Sequence, residues 1–205
     1  MIKGAIFDVD GTLIDSLGGW RTAVSGYLES ADVPFDEEVY KRMHRLTAEK
    51  AIAYLKTALS LKDPESVIRD RIFISLDAFY REKTRIVPGV PELLEALDRA
   101  GAVMAAATSN RRGFAAAALR CHGIDHYFSR IVTCDDYGTT KSEPTVYLKA
   151  AELLDVSPSE AVVFEDSPHA AETARKAGFS VELVSGDLSD GAVRDAILSR
   201  AGVKI

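Results

Sequence analysis

Hydrophobic and polar positions divide the chain into two regions with different patterns. From residue 88 onward, short apolar runs alternate with segments whose apolar residues recur at helical spacing. Apolar runs without polar alternation are typical of central strands, which are buried on both faces. One more run of this kind, residues 2–7, stands near the beginning of the chain. Because strands and helices alternate, the pattern predicts an α/β fold built on a parallel sheet.

The predicted strands lie on both sides of a helical insertion. Strands are predicted at residues 2–7, 103–107, 131–133, 161–164 and 181–184, with helices at about 90–100, 111–122, 144–154, 168–177 and 189–201. Residues 17–83 carry no strand pattern and predict three helices, at about 17–31, 36–59 and 64–82. We therefore expect a discontinuous Rossmann-like core of residues 1–16 and 84–205, with helices on both faces of its sheet, and an inserted helical domain of residues 17–83.

Composition and charge narrow the possible functions. The 205 residues can bury a sizeable core. Residues 17–83 contain 11 basic and 11 acidic residues, so the net charge of −6 comes entirely from the rest of the chain. Neither region carries a basic stripe, so we expect no nucleic-acid binding. We also expect no signal peptide, because Asp8 and Asp10 interrupt the first apolar run, and no membrane span, because no apolar stretch is long enough. Cys121 and Cys134 have neither metal nor redox spacing, which favours free thiols and a cytoplasmic location.

Two carboxylates, Asp8 and Asp10, follow the first predicted strand. A buried strand should not end in two unpaired acids, because burying an unpartnered charge is costly. Gly11 permits a turn directly after them, at the strand end where open α/β sheets bind ligands. Two carboxylates that face one point suit a hard cation such as Mg²⁺. Taken alone, the pair could also be a strand-to-loop transition capped by Asp, or part of a Ca²⁺ loop.

A polar segment and a lysine follow later strands. Thr108, Ser109 and Asn110 stand between a predicted strand and a predicted helix. Backbone N–H groups at a helix start favour anions, although helix capping alone would also explain these residues. Lys141 lies three residues before Pro144, and by itself it would be an ordinary surface lysine.

A second acidic pair, Glu165 and Asp166, ends the strand predicted at residues 161–164. Ser167 and Pro168 then form a good helix start, with Ser as the cap and Pro at the first position. Acids at this point often only complement the helix dipole. With the earlier clusters, however, they make four polar groups at the ends or edges of the predicted core elements.

The string Ala5-Ile6-Phe7-Asp8-Val9-Asp10-Gly11-Thr12-Leu13 resembles the signature of the haloacid dehalogenase superfamily, most of whose members hydrolyse phosphate esters. The three later clusters resemble its second, third and fourth motifs in the expected order, and the insertion resembles its helical cap domain. One departure is Thr140, where the family commonly has Gly before the lysine. The resemblance covers nearly the whole chain and points to the phosphoglycolate phosphatase and β-phosphoglucomutase branch.

This resemblance implies a Mg²⁺-dependent phosphatase that acts on a small phosphorylated metabolite through an aspartyl-phosphate intermediate. Asp8 would be the nucleophile, and Asp10 would be the general acid and base. The implied metal ligands are Asp8, Asp10 through its backbone carbonyl, Asp166, and Glu165 directly or through water. The implied phosphate-binding residues are Thr108, Ser109, Asn110 and Lys141. The dehalogenase branch lacks the second acid, so the presence of Asp10 argues against dehalogenation.

Three alternatives stay open at this point. A sugar-phosphate mutase of the β-phosphoglucomutase type would use the same residues, and a signalling module phosphorylated on Asp, like a response-regulator receiver, also uses acids, a Thr and a Lys. A non-catalytic binding protein is the third. Candidate substrate contacts in the cap are Trp20, Arg21, Arg45, Thr47 and Lys50. We expect a monomer or a weak dimer.

Overall fold

A computed structural model of the chain describes residues 2–43, 46, 48–184, 186–200 and 202. Contacts between Cα atoms divide the chain into two compact units, Met1–Ser16 with Thr84–Ile205, and Leu17–Lys83. Numbered in chain order, the strands are β1 (Gly4–Phe7), β2 (Ile14–Asp15), β3 (Arg85–Ile86), β4 (Val103–Thr108), β5 (Phe128–Thr133), β6 (Ala161–Glu165) and β7 (Ser180–Leu183). The helices are α1 (Gly19–Ser30), α2 (Glu37–Met43), α3 (Ala48–Ala58), α4 (Glu65–Glu82), α5 (Val90–Arg99), α6 (Arg112–Cys121), α7 (Thr145–Leu153), α8 (Pro168–Lys176) and α9 (Gly191–Arg200).

The first unit is built on a five-stranded sheet in the order β5-β4-β1-β6-β7. Every neighbouring pair is parallel, and Ile6 of the central strand lies opposite Ala105 on one side and Val163 on the other. Successive side chains of β1 point to opposite faces, yet Ile6 and Phe7 are both buried, so both faces of the sheet are covered. The predicted α/β class with a parallel Rossmann-like sheet is confirmed.

One face of this sheet carries helices with small and aromatic side chains. Ile6 belongs to a buried cluster with Tyr147 and Ala150 of α7 and Ala174 of α8. Alanines at the contact let the helices approach the strands closely, because they add little side-chain volume. This packing brings the helices that follow β5 and β6 over the central strand, and so brings the loops at their starts toward its carboxyl end.

The structure differs from the predicted elements in three places. β2 and β3 form a two-residue antiparallel pair that was not predicted, because two residues are too few to show a period. β5 begins at Phe128 rather than at residue 131, since its first half is partly exposed and lacks an apolar run. The helix predicted at 36–59 is two helices, α2 and α3, and the N–H of Leu46 bonds to the carbonyl of Met43, the last residue of the first.

The second unit is helical, as its sequence pattern predicts. α4 buries Ile68, Ile72, Leu76 and Tyr80, which recur every four residues and form one face of the helix. This helix packs against α1 and α3, while α2 packs against α3. The assignment of this unit as a cap domain stays a prediction. Among the helices of the described residues, none is both long enough and apolar enough to cross a membrane.

Candidate active site

The first acidic residue continues the pairing of β1 with its neighbour. The backbone N–H of Asp8 donates to the carbonyl of Phe164 over 2.9 Å, so the Asp8 carboxylate lies at the carboxyl end of β1, beside β6. The chain then turns at Gly11, whose φ of +91° lies in the left-handed region. A Cβ at Gly11 would overlap the carboxylate of Asp166. Glycine therefore suits both the left-handed turn and the close approach of the Asp166 carboxylate.

Lys141 forms ion pairs with two buried carboxylates. Its Nζ contacts Oδ1 of Asp8 and lies 2.7 Å from Oε2 of Glu165. Only 11% of the Lys141 side chain and 1% of the Glu165 side chain are exposed. Charges buried to this degree need partners with good geometry, and removing one partner leaves the other uncompensated. The lysine therefore holds two motifs of the sequence together.

Burial shifts the pKa values of this pair. Burial raises the pKa of Asp8, with Glu165 and Asp10 adding to the effect, while Lys141 opposes it. Burial by itself would lower the pKa of Lys141, but the carboxylates of Asp8 and Glu165 outweigh it and raise this pKa. Lys141 is thus a cation held among the carboxylates of an acidic site.

Glu165 has two further hydrogen-bond donors, which the sequence interpretation did not identify. The hydroxyl of Tyr147 donates to Oε2 of Glu165 over 2.8 Å, and the backbone N–H of Ser167 donates to Oε1 over 3.2 Å. Burial raises the pKa of the Tyr147 phenol, and Glu165 raises it further, so the hydroxyl stays protonated and donates. One feature of the sequence could have indicated this contact. Tyr147 lies in a predicted helix that begins just after Lys141, and a buried phenol needs a hydrogen-bond partner.

The second acid of the first motif is held by donors on both of its oxygens. Ser16 Oγ donates to Oδ1 of Asp10 over 2.6 Å, and the side-chain amide of Asn110 donates to Oδ2 over 3.1 Å. Ser16 was not assigned a function from the sequence. The side chain of Asp10 is consequently oriented by one residue from its own loop and one from the loop after β4.

The segment after β4 lies beside these acids. Thr108 is 1% exposed, and its Oγ1 accepts the backbone N–H of Asn110 over 2.9 Å. This N–H, which the sequence interpretation assigned to phosphate binding, thus has an internal acceptor. Ser109 Oγ lies 3.6 Å from the sulfur of Cys134. Phosphate binding by Thr108, Ser109 and Asn110 stays a prediction.

Most of the predicted site residues line one cavity of about 300 Å³ in the first unit. Its lining residues are Asp8, Asp10, Thr108, Ser109, Lys141, Ser142, Glu165, Asp166, Ser167, His169 and Ala170. Across its rim, the ring Nε2 of His169 lies 3.2 Å from Ser142 Oγ. The four motifs that are far apart in the sequence therefore share one crevice at the carboxyl edge of the sheet.

The donor set of this cavity fits a hard divalent cation. Asp8, Glu165 and Asp166 each place one carboxylate oxygen within 4.8 Å of the other two. Burial, together with Glu165, raises the pKa of Asp166, which is the direction expected when carboxylates crowd without a cation. Carboxylate oxygens in such a group are the ligands that Mg²⁺ prefers.

The candidate substrate-contact residues of the second unit differ in their surroundings. Trp20 packs edge-on against Phe73 with ring centroids 6.2 Å apart. Arg21 donates to Glu37 over 3.1 Å and stacks on an aromatic ring. Lys50 is exposed. Arg45 and Thr47 lie outside the described residues. Packing and ion pairing within the unit thus account for Trp20 and Arg21, and substrate contact stays a prediction.

Comparison with known proteins finds a matching family and similar phosphatases. A family model described as haloacid dehalogenase-like hydrolase matches residues 5–184. The phosphorylated carbohydrates phosphatase of Thermotoga maritima is 31% identical over 193 residues, which cover 93% of this chain and 88% of that protein. Hexitol phosphatase A of Escherichia coli is 31% identical over 184 residues, covering 89% of this chain and 83% of that protein.

The solved structures show the same fold. The crystal structure of CbbY from Rhodobacter sphaeroides in complex with phosphate superposes with a TM-score of 0.77 at 27% identity. The superposition covers 93% of this chain and 89% of CbbY. The likeness therefore extends through both units of the chain.

Proposed function

The chain belongs to the haloacid dehalogenase-like hydrolase family, and from this premise we propose that it is a Mg²⁺-dependent phosphatase that hydrolyses a small phosphorylated metabolite through an aspartyl-phosphate intermediate. Its relatives identify it as a phosphoric monoester hydrolase. The metal, the intermediate and the substrate class are the proposed part. The observation that carries the proposal is the contact of buried Asp8 with Lys141, beside the carboxylates of Glu165 and Asp166.

In the first step, a carboxylate oxygen of Asp8 attacks the phosphorus of the substrate. The new O–P bond forms as the ester O–P bond breaks, and Asp10 gives its proton to the departing oxygen. The hydrogen bonds from Ser16 and Asn110 fix the orientation of the Asp10 side chain, which lines the cavity where the departing oxygen would lie.

In the second step, water attacks the phosphorus of the aspartyl-phosphate. Asp10, now a carboxylate, takes a proton from this water, the acyl O–P bond breaks, and inorganic phosphate leaves with Asp8 restored. Lys141 contributes a fixed positive charge next to the transferred group in both steps, which stabilises charge on its oxygens. Thr108 would add a hydroxyl donor at the same place.

Asp8, Glu165 and Asp166 would hold the metal, with the backbone carbonyl of Asp10 as a further ligand. When bound, Mg²⁺ would supply positive charge that offsets the repulsion between the substrate and these carboxylates. Without such charge, an acidic cavity would repel a phosphate ester, and the single buried lysine beside three carboxylates would not balance them.

The relatives favour a phosphorylated carbohydrate or polyol as the substrate class. One acts on phosphorylated carbohydrates and another is a hexitol phosphatase. The cavity of about 300 Å³ is small and lined by acids, hydroxyls, a lysine and an imidazole, so it suits a compact polar molecule rather than an apolar one.

The experiment is a screen of the purified chain against a panel of phosphorylated sugars, polyols and short acids. Released phosphate is measured with Mg²⁺ and with EDTA, and Asp8→Asn serves as the inactive control. We expect release from at least one carbohydrate phosphate with Mg²⁺, lost in EDTA and in Asp8→Asn. Borohydride reduction during turnover would convert a phosphorylated Asp8 to homoserine, which peptide mass spectrometry identifies. No release from any substrate, or equal release in EDTA, would contradict the proposal.

A further inference from the structure

Glu165 is a buried carboxylate whose two oxygens have different partners. Oε2 accepts from Lys141 over 2.7 Å and from Tyr147 over 2.8 Å, whereas Oε1 accepts the Ser167 N–H over 3.2 Å. The side chain is 1% exposed, so water contributes little to its solvation. These hydrogen bonds therefore orient Oε2 of Glu165 toward Lys141 and leave Oε1 as the oxygen that could bind the proposed metal.

The position of Lys141 depends on this division. A lysine ammonium is a compact charge on a flexible stem, and its direction is set by its partners more than by its own shape. Lys141 has Asp8 on one side and Glu165 on the other. If Glu165 rotated, the ammonium would follow it or turn wholly to Asp8, and either change would move the charge relative to the transferred phosphoryl group.

Tyr147 is the rigid member of this group. It is fully buried, stacks edge-on against Phe179 with centroids 6.4 Å apart, and belongs to the same buried cluster as Ile6 of the central strand. Its ring also lies 5.7 Å from the Nζ of Lys141, within the range of a cation–π contact. A side chain fixed by the sheet thus touches both the buried carboxylate and the cation.

We propose that Tyr147 is a positioning residue, whose hydroxyl fixes Oε2 of Glu165 so that Lys141 is held between Glu165 and Asp8. The inference rests on the proposed function only for the role of Lys141 at the phosphoryl group. Removing the hydroxyl takes away the fixed donor to Oε2, so Glu165 can rotate together with Lys141, which still binds this oxygen. The expected consequence is a loss in kcat with a smaller change in KM, because the lysine charge matters most where charge develops.

The kinetic experiment compares Tyr147→Phe with Tyr27→Phe as the matched control. Tyr27 is also buried and donates to a carboxylate, Asp63 Oδ2, over 3.1 Å, but in the helical unit. A hydrogen bond to a charged group contributes enough for Tyr147→Phe to lower kcat about tenfold, whereas Tyr27→Phe should leave kcat unchanged. Because Tyr147 acts through the lysine, Tyr147→Phe should change kcat less than about twofold in a Lys141→Met background. Equal losses in both backgrounds would overturn the proposal.

A second measurement needs no activity. The side-chain ammonium of Lys141, observed by nitrogen-15 NMR and assigned by its absence in Lys141→Met, should show slow proton exchange in the wild type and in Tyr27→Phe. Tyr147→Phe should broaden this signal. An inactive wild type with this NMR pattern would reject the proposed function and keep the positioning role. If the wild type is active, two results would reject the positioning role alone. One is a Lys141 signal that Tyr147→Phe leaves unchanged, and the other is a Lys141 ammonium that already exchanges fast in the wild type.

Discussion

Lys141 and Asp8 are 133 positions apart in the sequence, and their side chains form a direct ion pair within the candidate active site. The contact arises because Asp8 follows the central strand, while Lys141 lies in the loop that leads into α7, a helix packed over that strand. The pair therefore couples the nucleophile proposed here to the charge that would receive its substrate. Changes at Asp8 should be visible in both turnover and stability.

We predict that Asp8→Asn abolishes turnover without unfolding the protein. Asparagine is nearly isosteric with aspartate, but an amide is a poor nucleophile and a weaker ligand for Mg²⁺. Phosphate release should fall by at least about a thousandfold, as when a catalytic nucleophile is removed, while circular dichroism shows the native fold. The exposed residue Asp98 of α5 provides the control, Asp98→Asn, which should retain full activity. Full activity in Asp8→Asn would exclude covalent catalysis at this residue.

We also predict that the stability of Asp8→Asn relative to the wild type depends on pH. In the metal-free protein, burial raises the pKa of Asp8 to about 8. Between about pH 4, where a free Asp loses its proton, and about pH 8, the folded state holds a proton that the unfolded state has lost, so stability falls as pH rises. Asn lacks this titration. In EDTA, the Tm of Asp8→Asn minus the Tm of the wild type should increase from about pH 5 to pH 8 and then level off. A difference that decreases with pH would contradict a raised pKa of Asp8 in the folded state.

The sequence predicted which residues could meet, but it did not predict how they are oriented. Asp8, Thr108 and Glu165 stand at the ends of parallel strands, which must meet at one edge of the sheet, so their proximity follows from the pattern. The hydroxyl contacts of Ser16 and Tyr147 depend on loop conformation and on which face of α7 turns inward. Neither leaves a period or a spacing that the sequence could reveal.

The segment after β4 shows the same limit. From the sequence, Asn110 is expected to bind phosphate, which stays a prediction; the structure adds that its side chain donates to Asp10 and its N–H donates to Thr108 Oγ1. A residue type and a place at a helix start indicate an anion site, but they do not specify which group of the residue faces it. The short pair of β2 and β3 was missed for a related reason, because two residues carry too little pattern.

Gly11→Ala should weaken metal binding. The new Cβ would overlap the Asp166 carboxylate. The alanine backbone would also have to adopt a φ of +91°, which residues other than glycine rarely do. Displacing one of three carboxylates should raise the Kd for Mg²⁺ at least about tenfold in isothermal titration calorimetry. The control is Gly26→Ala in α1, where a Cβ meets nothing within 4 Å and should stabilise the helix by roughly 1 kcal/mol. An unchanged Kd in Gly11→Ala would show that Asp166 does not bind the metal.

Thr12→Val should stabilise the protein. Thr12 is 1% exposed, and its hydroxyl has no hydrogen-bond partner among the described residues. Valine has the same branched shape without the hydroxyl, so the substitution removes a buried unsatisfied group at little packing cost. Urea denaturation should give an increase of about 1 kcal/mol in the free energy of unfolding. A decrease would mean that the hydroxyl has a partner such as buried water.

Asp10→Asn should discriminate between leaving groups. An alkyl phosphate needs a proton on its departing oxygen, whereas p-nitrophenolate is a good leaving group without one. The asparagine can accept only one of the two hydrogen bonds donated to Asp10, and it has no acidic proton to give. We expect the loss of kcat on a sugar phosphate to exceed the loss on p-nitrophenyl phosphate by about a hundredfold, within the range that general acid catalysis contributes. Equal losses on both substrates would contradict the acid role of Asp10.

The last prediction separates a hydrolase from a sugar-phosphate mutase, which would share the aspartyl-phosphate. In a mutase, a sugar hydroxyl rather than water must take the phosphoryl group, so the enzyme has to delay water and hold a bisphosphate intermediate. The sugar mutases that this chain resembles tend to carry a His in the segment where it has Leu17-Gly18-Gly19-Trp20, and this segment has no titratable side chain. We therefore expect net release of inorganic phosphate. Phosphorus NMR on β-glucose 1-phosphate with a trace of the 1,6-bisphosphate measures both outcomes, and a known β-phosphoglucomutase is the positive control. Quantitative conversion to glucose 6-phosphate without free phosphate would make this chain a mutase and overturn the assignment as a hydrolase.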